Sequence, residues 1–535
     1  MSRTPLTTSR AGSRPATAAG AAGRRVRRPG AITAVIVVAT LAGLALRLYQ
    51  LSRPGYLLGI TEYDDGTDFG SAVRLIHGAL PYRDFIMVQP PGITLLMAPV
   101  AAATSPFGTV TGMAAARVVT ALASAAAVPL GGLLTRHRGL LAVLITCGTL
   151  AVYPDSLLAA RTVLLEPWLV LFCLLGALAV FDGDQLAGGR RLLWGGAAFG
   201  FAGAVKVWAI LPVLVILLLT ARRPRQAGRF AAGVAAGFCL TVLPFALLAP
   251  ATFYRGVIVA QLVRSDVIRI PLATRLQDML GLTHVHDMST APLVVTGVVV
   301  IVVVAALSVL GARLSHRRPP PLDWFATVTC LLVVAAFLWP ADFYDHYPAF
   351  LAPFLALSLA LPIARVVAAL PRQGKRARIG KLARRGATVV AALTLAALAV
   401  LQGIAQSHLA SSIPASEISA AEHTIPAGAC VLTDQVAYTI AINRFVASAP
   451  GCSLMVDGVG SDYALSSGHN GLTGAGRSPA VEQLWMSAFR SAQYVWLTSM
   501  ASRRIPWTPQ LQAYLHAHFE PLTEGPDWLY LRNAS

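Results

Sequence analysis

The sequence predicts a polytopic α-helical membrane protein with a small α/β domain at its C-terminal end. Of its 535 residues, 56% are hydrophobic and only 13% are charged. Soluble proteins cover their surfaces with roughly 25% charged residues, so this chain requires an apolar solvent, which a bilayer provides. Apolar segments close to 20 residues, the length that crosses a bilayer core, also recur along the chain.

Eleven segments are long and apolar enough to be interpreted as transmembrane helices, although several are short and 192–220 also fits a single span. They are 31–50, 112–134, 139–153, 163–181, 192–206, 208–220, 229–249, 291–313, 323–340, 347–370 and 387–406. They define a membrane domain over residues 31–406. Residues 1–30 resemble a transit peptide in composition, but we interpret them as a disordered basic cytoplasmic tail before an uncleaved helix.

The net charge of +19 is distributed in a way that predicts membrane topology rather than nucleic-acid binding. Six basic runs, at 1–30, 136–138, 190–191, 222–229, 313–318 and 372–385, hold 25 of the 43 Lys and Arg residues. With a cytoplasmic N-terminus and eleven spans, all six runs fall on the cytoplasmic side, as the positive-inside rule requires. A nucleic-acid patch would not follow this spacing, so no nucleic-acid partner is expected.

The first outer loop, residues 51–111, begins with an unusual acidic cluster, Glu62-Tyr-Asp-Asp-Gly-Thr-Asp68. A short helix is expected over Thr67–His77, ended by Gly78. The apolar piece 92–103 is too short to cross a bilayer as a helix, so it is expected to lie in the outer interface. The loop is therefore predicted to consist of two interfacial helices that present the acids.

Residues 407–535 are expected to form a soluble extracytoplasmic α/β domain. Strands are predicted at Cys430-Val-Leu-Thr, Tyr494-Val-Trp-Leu-Thr and Trp528-Leu-Tyr-Leu, a helix at Pro509–His518, and a flexible loop at Gly468–Gly476. Eleven crossings place this domain outside the cell, where disulfides persist. We therefore expect a Cys430–Cys452 disulfide, the alternative being two free thiols.

Ionisable residues collect at the predicted outer ends of the spans. They are Asp64, Asp65, Arg161, Glu166, Lys206, Asp342, Asp345 and His346, with Arg255, Arg264, Arg269 and Arg275 in the second outer loop. Such residues are costly at membrane depth and usually mark a path or a site. A carboxylate there can act as a general base, and cations can hold a leaving phosphate. A transferase with a phosphorylated lipid donor needs both groups, and the chain has no nucleotide-binding motif.

Structural alternatives stay open for these residues. Asp64 and Asp65 also suit a solvated loop before a helix, and Arg161 and Glu166 suit an ion pair at a helix end. Lys206 could extend its amine to the interface, and His346 and Tyr347 could belong to an aromatic belt.

Several motifs resemble GT-C glycosyltransferases, a superfamily that includes protein O-mannosyltransferases and lipid A aminoarabinose transferases. The first-loop sequences are Tyr63-Asp-Asp-Gly, Leu75-Ile-His-Gly-Ala-Leu-Pro-Tyr-Arg-Asp-Phe85 and Gln89-Pro-Pro-Gly-Ile-Thr-Leu-Leu. Arg161-x4-Glu166, Val205-Lys206 and His346-Tyr347 are similar to later landmarks of the superfamily. The resemblance covers roughly residues 31–406.

The resemblance implies a polyprenyl-phosphate sugar donor and inversion at the anomeric carbon. It implies that Asp64 is the catalytic base. It also places among the catalytic residues Asp65, where relatives often have Glu, and Glu166, which assists. The substrate-binding residues are then expected among Arg161, Lys206, Tyr82, Arg83, Gln89, Arg264, Arg269, His346 and Tyr347. Many relatives have Lys or His in place of Gln89. The Asp64-Asp65 pair is not an Asp-x-Asp motif, so a divalent metal is possible but not implied. Tyr82 and Arg83, with Asp84, could instead only fix a turn.

The sequence thus predicts a glycosyltransferase of a bacterial plasma membrane, with its N-terminus in the cytoplasm and its site on the outer face. It would move a hexose or pentose, mannose being one candidate, to an envelope glycan, lipid or protein. The alternatives are a multi-pass transporter of an envelope precursor and a non-catalytic envelope scaffold. Transporters place their charges near the bilayer midplane, whereas these charges lie at the predicted outer mouth.

Overall fold

A computed structural model describes residues 30–262, 270–283, 288–339, 343–371, 377–411, 413–466, 475–500, 502, 504–522, 525 and 528–533. The first part of the chain alternates long apolar helices with short ones. In order they are α1 (Ala31–Leu51), α2 (Tyr63–Ile76), α3 (Gly92–Thr104), α4 (Thr109–Thr135), α5 (Leu140–Val152), α6 (Pro154–Ala159) and α7 (Leu165–Val180), followed by the hairpin β1 (Phe181–Asp182) and β2 (Gln185–Leu186).

The second part of the membrane domain is also helical. Its helices are α8 (Arg190–Val205), α9 (Ile210–Thr220), α10 (Pro224–Leu248), α11 (Pro250–Phe253), α12 (Ala260–Leu262), α13 (Leu272–Met279), α14 (Thr290–Ser315), α15 (Pro321–Leu338), α16 (Ala352–Ala369) and α17 (Ala377–Ser407). A π-helical stretch, Tyr254–Val259, joins α11 to α12, and 3₁₀ turns at Val207–Ala209 and Tyr347–Phe350 precede α9 and α16.

All eleven predicted spans coincide with helices of the structure. Within the described residues, seven helices are long and apolar enough to cross a membrane, namely α1, α4, α10, α14, α15, α16 and α17. The spans predicted at 139–153, 163–181, 192–206 and 208–220 correspond to the shorter helices α5, α7, α8 and α9. The segment 192–220 forms two helices because the backbone becomes extended at Lys206. The chain is a multi-pass membrane protein.

Three helix boundaries differ from the prediction. Helix α2 begins at Tyr63 rather than Thr67, so the acidic cluster lies inside its first two turns. Acidic side chains favour the first turn of a helix because they complement its dipole. Helix α17 begins ten residues before the predicted span, since Arg and Lys are good helix formers in a polar environment. The segment predicted to open the span at 347 is instead a 3₁₀ turn.

The tail, residues 413–533 after α17, contains a four-stranded mixed sheet. Its elements are α18 (Ala415–Thr424), β3 (Val431–Thr433), α19 (Ala437–Ala441), α20 (Gly458–Leu465), α21 (Pro479–Ser491), β4 (Tyr494–Trp496), α22 (Pro509–His518), β5 (Phe519–Pro521) and β6 (Leu529–Arg532). The strand order is β3-β4-β6-β5, and only the β3–β4 pair is parallel. The three predicted strands and the predicted helix are confirmed, whereas most of the predicted Gly468–Gly476 loop lies outside the described residues.

The tail packs directly on the first outer loop. One hydrophobic core contains Phe69 and Val73 of α2 together with Ile440, Phe445 and Trp496 of the tail. Burying large apolar and aromatic side chains is the main favourable contribution to such an association. The loop that bears the acidic cluster is therefore held between the membrane helices and the tail.

Candidate active site

Helix α2 presents its acids to different surroundings. Asp64 and Asp68 are four residues apart and therefore lie on one face of the helix. Asp64 is half-buried, and its carboxylate makes no hydrogen bond or ion pair with any residue that the structure describes. Asp68 is buried, and its Oδ2 atom likewise has no hydrogen-bond partner among the described residues. This face of α2 is thus a pair of carboxyl groups with unused hydrogen-bonding capacity.

Asp65 is buried and holds α2 in place through hydrogen bonds. It accepts hydrogen bonds from the Arg117 guanidinium and, at 2.7 Å, from the backbone N–H of Val163. Arg117 also donates to the carbonyl oxygens of Tyr56 and Leu57, both at 2.8 Å. This buried network joins α2 to α4 and to the segment before α7. The structure therefore gives Asp65 a positioning contact, whereas the resemblance implied a role in catalysis.

A second cluster forms where α7, α8 and the turn before α16 meet. The Lys206 ammonium donates to Glu166 Oε1 at 2.5 Å, and His346 Nε2 lies 3.8 Å from the same oxygen. Lys206 also lies over the rings of Trp208, at 3.8 Å, and Tyr347, at 4.3 Å from the ring centroids. All three charged or ionisable groups of this Lys206 cluster are buried. The structure thus brings together four predicted site residues that lie 181 positions apart at their extremes, from Glu166 to Tyr347.

Two of the structural alternatives are wrong, namely that Lys206 extends to the interface and that Arg161 pairs with Glu166. Lys206 does not extend to the interface, because its side chain is only 7% exposed and is turned toward Glu166. Glu166 is not paired with Arg161. Arg161 instead lies over the Tyr56 ring at 5.4 Å, and its Nε atom has no hydrogen-bond partner within the described part of the chain.

The acids of α2 lie within electrostatic range of the Lys206 cluster. Burial raises the pKa of Asp68 well above its ordinary value, repulsion from Asp64 and Glu166 adds to the rise, and Lys206 opposes it. The protonated form of Asp68, which can donate a hydrogen bond, is therefore favoured relative to that of an exposed aspartate. The same α2 face thus holds, next to Asp64, a carboxyl group whose pKa is raised.

Glu62 is the N-cap residue of α2. Burial raises the pKa of Glu62 from 4.5 to about 7, with repulsion from Asp345 and Asp64 adding to the rise and Arg161 opposing it. Arg161 is therefore close enough to the start of α2 to influence its acids. One cation, Arg161, lies near the N-terminal acids, and another, Lys206, lies near Asp68.

The tail fixes the first turn of α2. The Tyr63 hydroxyl donates to Asp457 Oδ1 at 3.0 Å and accepts from the backbone N–H of Val459 at 3.1 Å. A Cβ atom at Gly66 would lie 2.5 Å from the backbone N of Ala437, so only glycine fits at this contact. None of these partners is apparent from the sequence, because each lies more than 370 positions from its contact on α2.

Two predicted substrate-binding residues, Tyr82 and Arg83, lie elsewhere. Tyr82 is buried at a positive φ of 67°, and its hydroxyl donates to the backbone carbonyl of Gln89 at 2.6 Å. Arg83 is exposed and pairs with Asp84 at 2.7 Å. These contacts fix the turn of the loop, which was the alternative to substrate binding. The structure does not bring Tyr82 or Arg83 to the Lys206 cluster. Arg264 and Arg269 lie outside the described residues, as do Asp342 and the remainder of 263–269 in the second outer loop.

The residues present do not fit a divalent metal at the Asp64-Asp65 pair. Both Asp65 oxygens already accept hydrogen bonds, one from Val163 and the other from Arg117. Within the described residues no group of three or more His, Cys, Asp or Glu side chains could hold a metal ion.

Cys430 and Cys452 form the predicted disulfide, while Cys147, Cys173, Cys239 and Cys330 are free.

A matching family model and the fold indicate the class of the protein, that of the GT-C membrane glycosyltransferases. The chain is similar in structure to ArnT from Cupriavidus metallidurans bound to undecaprenyl phosphate, with a TM-score of 0.59, 15% identity, and coverage of 94% of this chain and 98% of that one. The apo state of the same protein gives a TM-score of 0.58 and 14% identity over the same shares of the two chains.

Residues 88–340, just under half of the chain, match the family model of Glycosyltransferase family 87. No curated protein matches the chain. The matched model and the fold together support the predicted class, a membrane glycosyltransferase of GT-C type.

Proposed function

We propose that this protein transfers a sugar from a polyprenyl-phosphate donor to an envelope acceptor at the outer face of the bacterial plasma membrane. The observation that supports this most directly is the proximity of the Asp64–Asp68 face of α2 to the Lys206 cluster. A base and a cationic phosphate site are the two groups that such a transfer needs. The complex of the structurally similar ArnT with undecaprenyl phosphate supports the choice of a polyprenyl carrier.

Asp64 is the general base of the proposed reaction. Its carboxylate takes the proton of an acceptor hydroxyl as the oxygen attacks the anomeric carbon of the donor sugar. The bond between that carbon and the phosphate oxygen breaks, and its electron pair leaves with the polyprenyl phosphate. Attack opposite to the leaving group inverts the anomeric configuration. Asp68, whose buried carboxyl group has a raised pKa, supplies a hydrogen bond to the reacting groups.

The leaving phosphate is held by the cations that flank α2. Arg161 is half-buried, has no ion-pair partner in the described part of the chain and offers a planar set of donors suited to phosphate. Lys206 supplies a second positive charge. Glu166 does not touch substrate in this proposal but orients Lys206, and His346 and Tyr347 close the cluster around it. Arg264, Arg269 and Gln89 remain candidate donor contacts.

The charges and the disulfide support one orientation in the membrane. The positive-inside rule supports a cytoplasmic N-terminus, and the Cys430–Cys452 disulfide supports an extracytoplasmic tail, since disulfides persist in oxidising compartments. The lipid tail of the donor would lie along α9, where Ile210, Leu214 and Leu218 form an exposed apolar stripe next to the cluster. The donor head group would then reach the outer ends of the spans.

A deletion strain tests the proposal. If the protein consumes a polyprenyl-phosphate sugar, membranes of the strain should accumulate that lipid, and mass spectrometry of extracted lipids should identify the sugar. Expression of the wild-type protein should remove the accumulated lipid, whereas expression of the Asp64→Asn variant should not. Unchanged lipid-linked sugars, together with loss of uptake of a solute, would instead identify a transporter.

Gly92→Ala should lower transfer by displacing Lys206. A Cβ atom at Gly92 would lie within 3.0 Å of the Ala204 carbonyl oxygen and 2.8 Å from the Val205 backbone N, so the chain just before Lys206 must shift. Misplacement of a positioned group by about 1 Å can lower a rate about 10²-fold. Transfer assays in membranes measure the effect. Gly228→Ala is the matched control, because nothing lies within 4 Å of a Cβ there, and a wild-type rate for Gly92→Ala would contradict the proposed placement.

A further inference from the structure

A cleft of about 600 Å³ separates the segment before α2 from the tail. Six residues supply most of its hydrogen-bonding side chains, and we call the space between them the tail cleft. They are Thr61, Glu62, Gln435, Tyr438, Thr498 and Arg504. Its volume is within the range of small-molecule sites, which is about 300–1,000 Å³.

Arg504 is held in place at one wall of the tail cleft. One of its terminal nitrogens donates to Gln435 Oε1 at 2.8 Å and to Thr498 Oγ1 at 3.3 Å. Its guanidinium lies over the Tyr63 ring at 5.3 Å and within 3.7 Å of the buried Asp434 carboxylate. A guanidinium has five N–H donors, so this fixed group retains donors for a ligand.

The opposite wall also has unused hydrogen-bonding capacity. The Thr61 hydroxyl is buried and has no hydrogen-bond partner among the described residues. Because a buried unpaired hydroxyl costs free energy, a ligand that forms a hydrogen bond with it would remove that cost. The Glu62 carboxyl group next to it supplies a further acceptor or donor.

The composition of the cleft favours a ligand rich in hydroxyl groups. Apart from Ile60 and Ile413, every lining residue has a polar side chain, so the cleft lacks the apolar pockets that a peptide's side chains would require. The cleft has no net positive charge, because Asp434 balances the charge of Arg504 and Glu62 is an acid. It is therefore not an anion site. Hydroxyl, amide, carboxyl and guanidinium groups beside tyrosine rings match the hydrogen-bonding edges and apolar faces of a carbohydrate.

We propose that the tail cleft binds a carbohydrate acceptor and directs one of its hydroxyl groups to Asp64. This inference rests on the proposed transferase function and adds the class of acceptor and its site. Glu62 lies two residues before Asp64, and consecutive Cα atoms are about 3.8 Å apart, so a ligand beside Glu62 is close to the base. The tail, which also fixes the first turn of α2, thus takes part in acceptor recognition.

The class of acceptor can be tested without knowing its identity. Membranes of the deletion strain provide the unmodified acceptor, and the purified full-length protein is added with the radiolabelled donor lipid that the strain accumulates. Before the assay, one portion of membranes is treated with periodate, which cleaves vicinal diols, and another with a broad-specificity protease. We expect periodate to abolish incorporation of label and protease to leave it unchanged. Protease-sensitive, periodate-resistant incorporation would overturn the inference but leave the proposed function intact. No incorporation into untreated membranes would refute both.

Arg504→Met tests the site itself. We expect the apparent KM for acceptor membranes to rise at least tenfold, with the KM for the donor lipid unchanged. Arg490→Met is the matched control, because Arg490 is an exposed residue of the same domain outside the cleft. If Arg504→Met misfolds, Thr61→Val keeps the side-chain shape and removes only the unpaired hydroxyl, and it should raise the acceptor KM severalfold. An unchanged acceptor KM in the folded variants, or a rise in the donor KM alone, would overturn the inference.

Discussion

Asp64→Asn is expected to lower the rate of sugar transfer by about 10² to 10⁴, the range attributed to a positioned general base. Asparagine has nearly the same shape as aspartate but cannot take a proton. Because the Asp64 carboxylate makes no hydrogen bond or ion pair with the described residues, its loss should not disturb the fold. The variant should therefore bind the donor lipid with wild-type affinity and show a fall in kcat alone.

Asp84→Asn provides the matched control for that experiment. Asp84 lies in the same outer loop and undergoes the same chemical change. It pairs at the surface with Arg83 and accepts a hydrogen bond from the backbone N–H of Leu80, which the asparagine oxygen can also accept. Exposed ion pairs contribute little to stability, so this variant should transfer sugar at the wild-type rate. Equal activity of Asp64→Asn and Asp84→Asn would exclude Asp64 as the base.

Lys206→Met is expected to destabilise the protein as well as inactivate it. The change removes the hydrogen-bonded cation and leaves the buried Glu166 carboxylate with only His346, 3.8 Å away, as a partner. Breaking a buried ion pair in this way typically costs about 3–5 kcal/mol of unfolding free energy. Glu166→Gln should also destabilise, because the Lys206 ammonium keeps an amide oxygen and aromatic rings beside it but loses its buried counter-charge. Thermal midpoints in detergent measure both effects.

The double variant separates folding from function. Lys206→Met combined with Glu166→Gln removes both buried charges, so most of the lost stability should return. Transfer should remain absent, because no cation is left at that position for the phosphate. The exposed Lys381→Met variant is the control for loss of a lysine and should resemble the wild type. Recovery of transfer in the double variant would show that Lys206 only balances the charge of Glu166.

Hydropathy and charge were sufficient to predict the membrane helices, because a span must be apolar over a length that the bilayer sets. The same reasoning identified 92–103 as a helix too short to cross, and the structure has α3 at Gly92–Thr104. The tail strands at Val431–Thr433 and Tyr494–Trp496 followed from short buried runs between turn residues. Local patterns of this kind depend on neighbours in the sequence.

The site depended on contacts between distant segments, which no local pattern contains. Arg117 looked like one more residue of a span, although an ionisable residue within an apolar segment is itself a signal of a buried partner. That signal would have indicated an acidic partner but not that the partner is Asp65 rather than Asp64. The assignment of Asp457 and Gln435 to the surroundings of α2 required the packing of the tail on the first loop.

A structure of the protein with bound undecaprenyl phosphate tests the central claim most directly. We predict that the phosphate lies on the outer side of the membrane domain, in contact with Arg161 or Lys206 and next to Asp64, with its chain directed along α9. A phosphate bound far from both cations, with Asp64 facing bulk solvent, would contradict the proposed reaction.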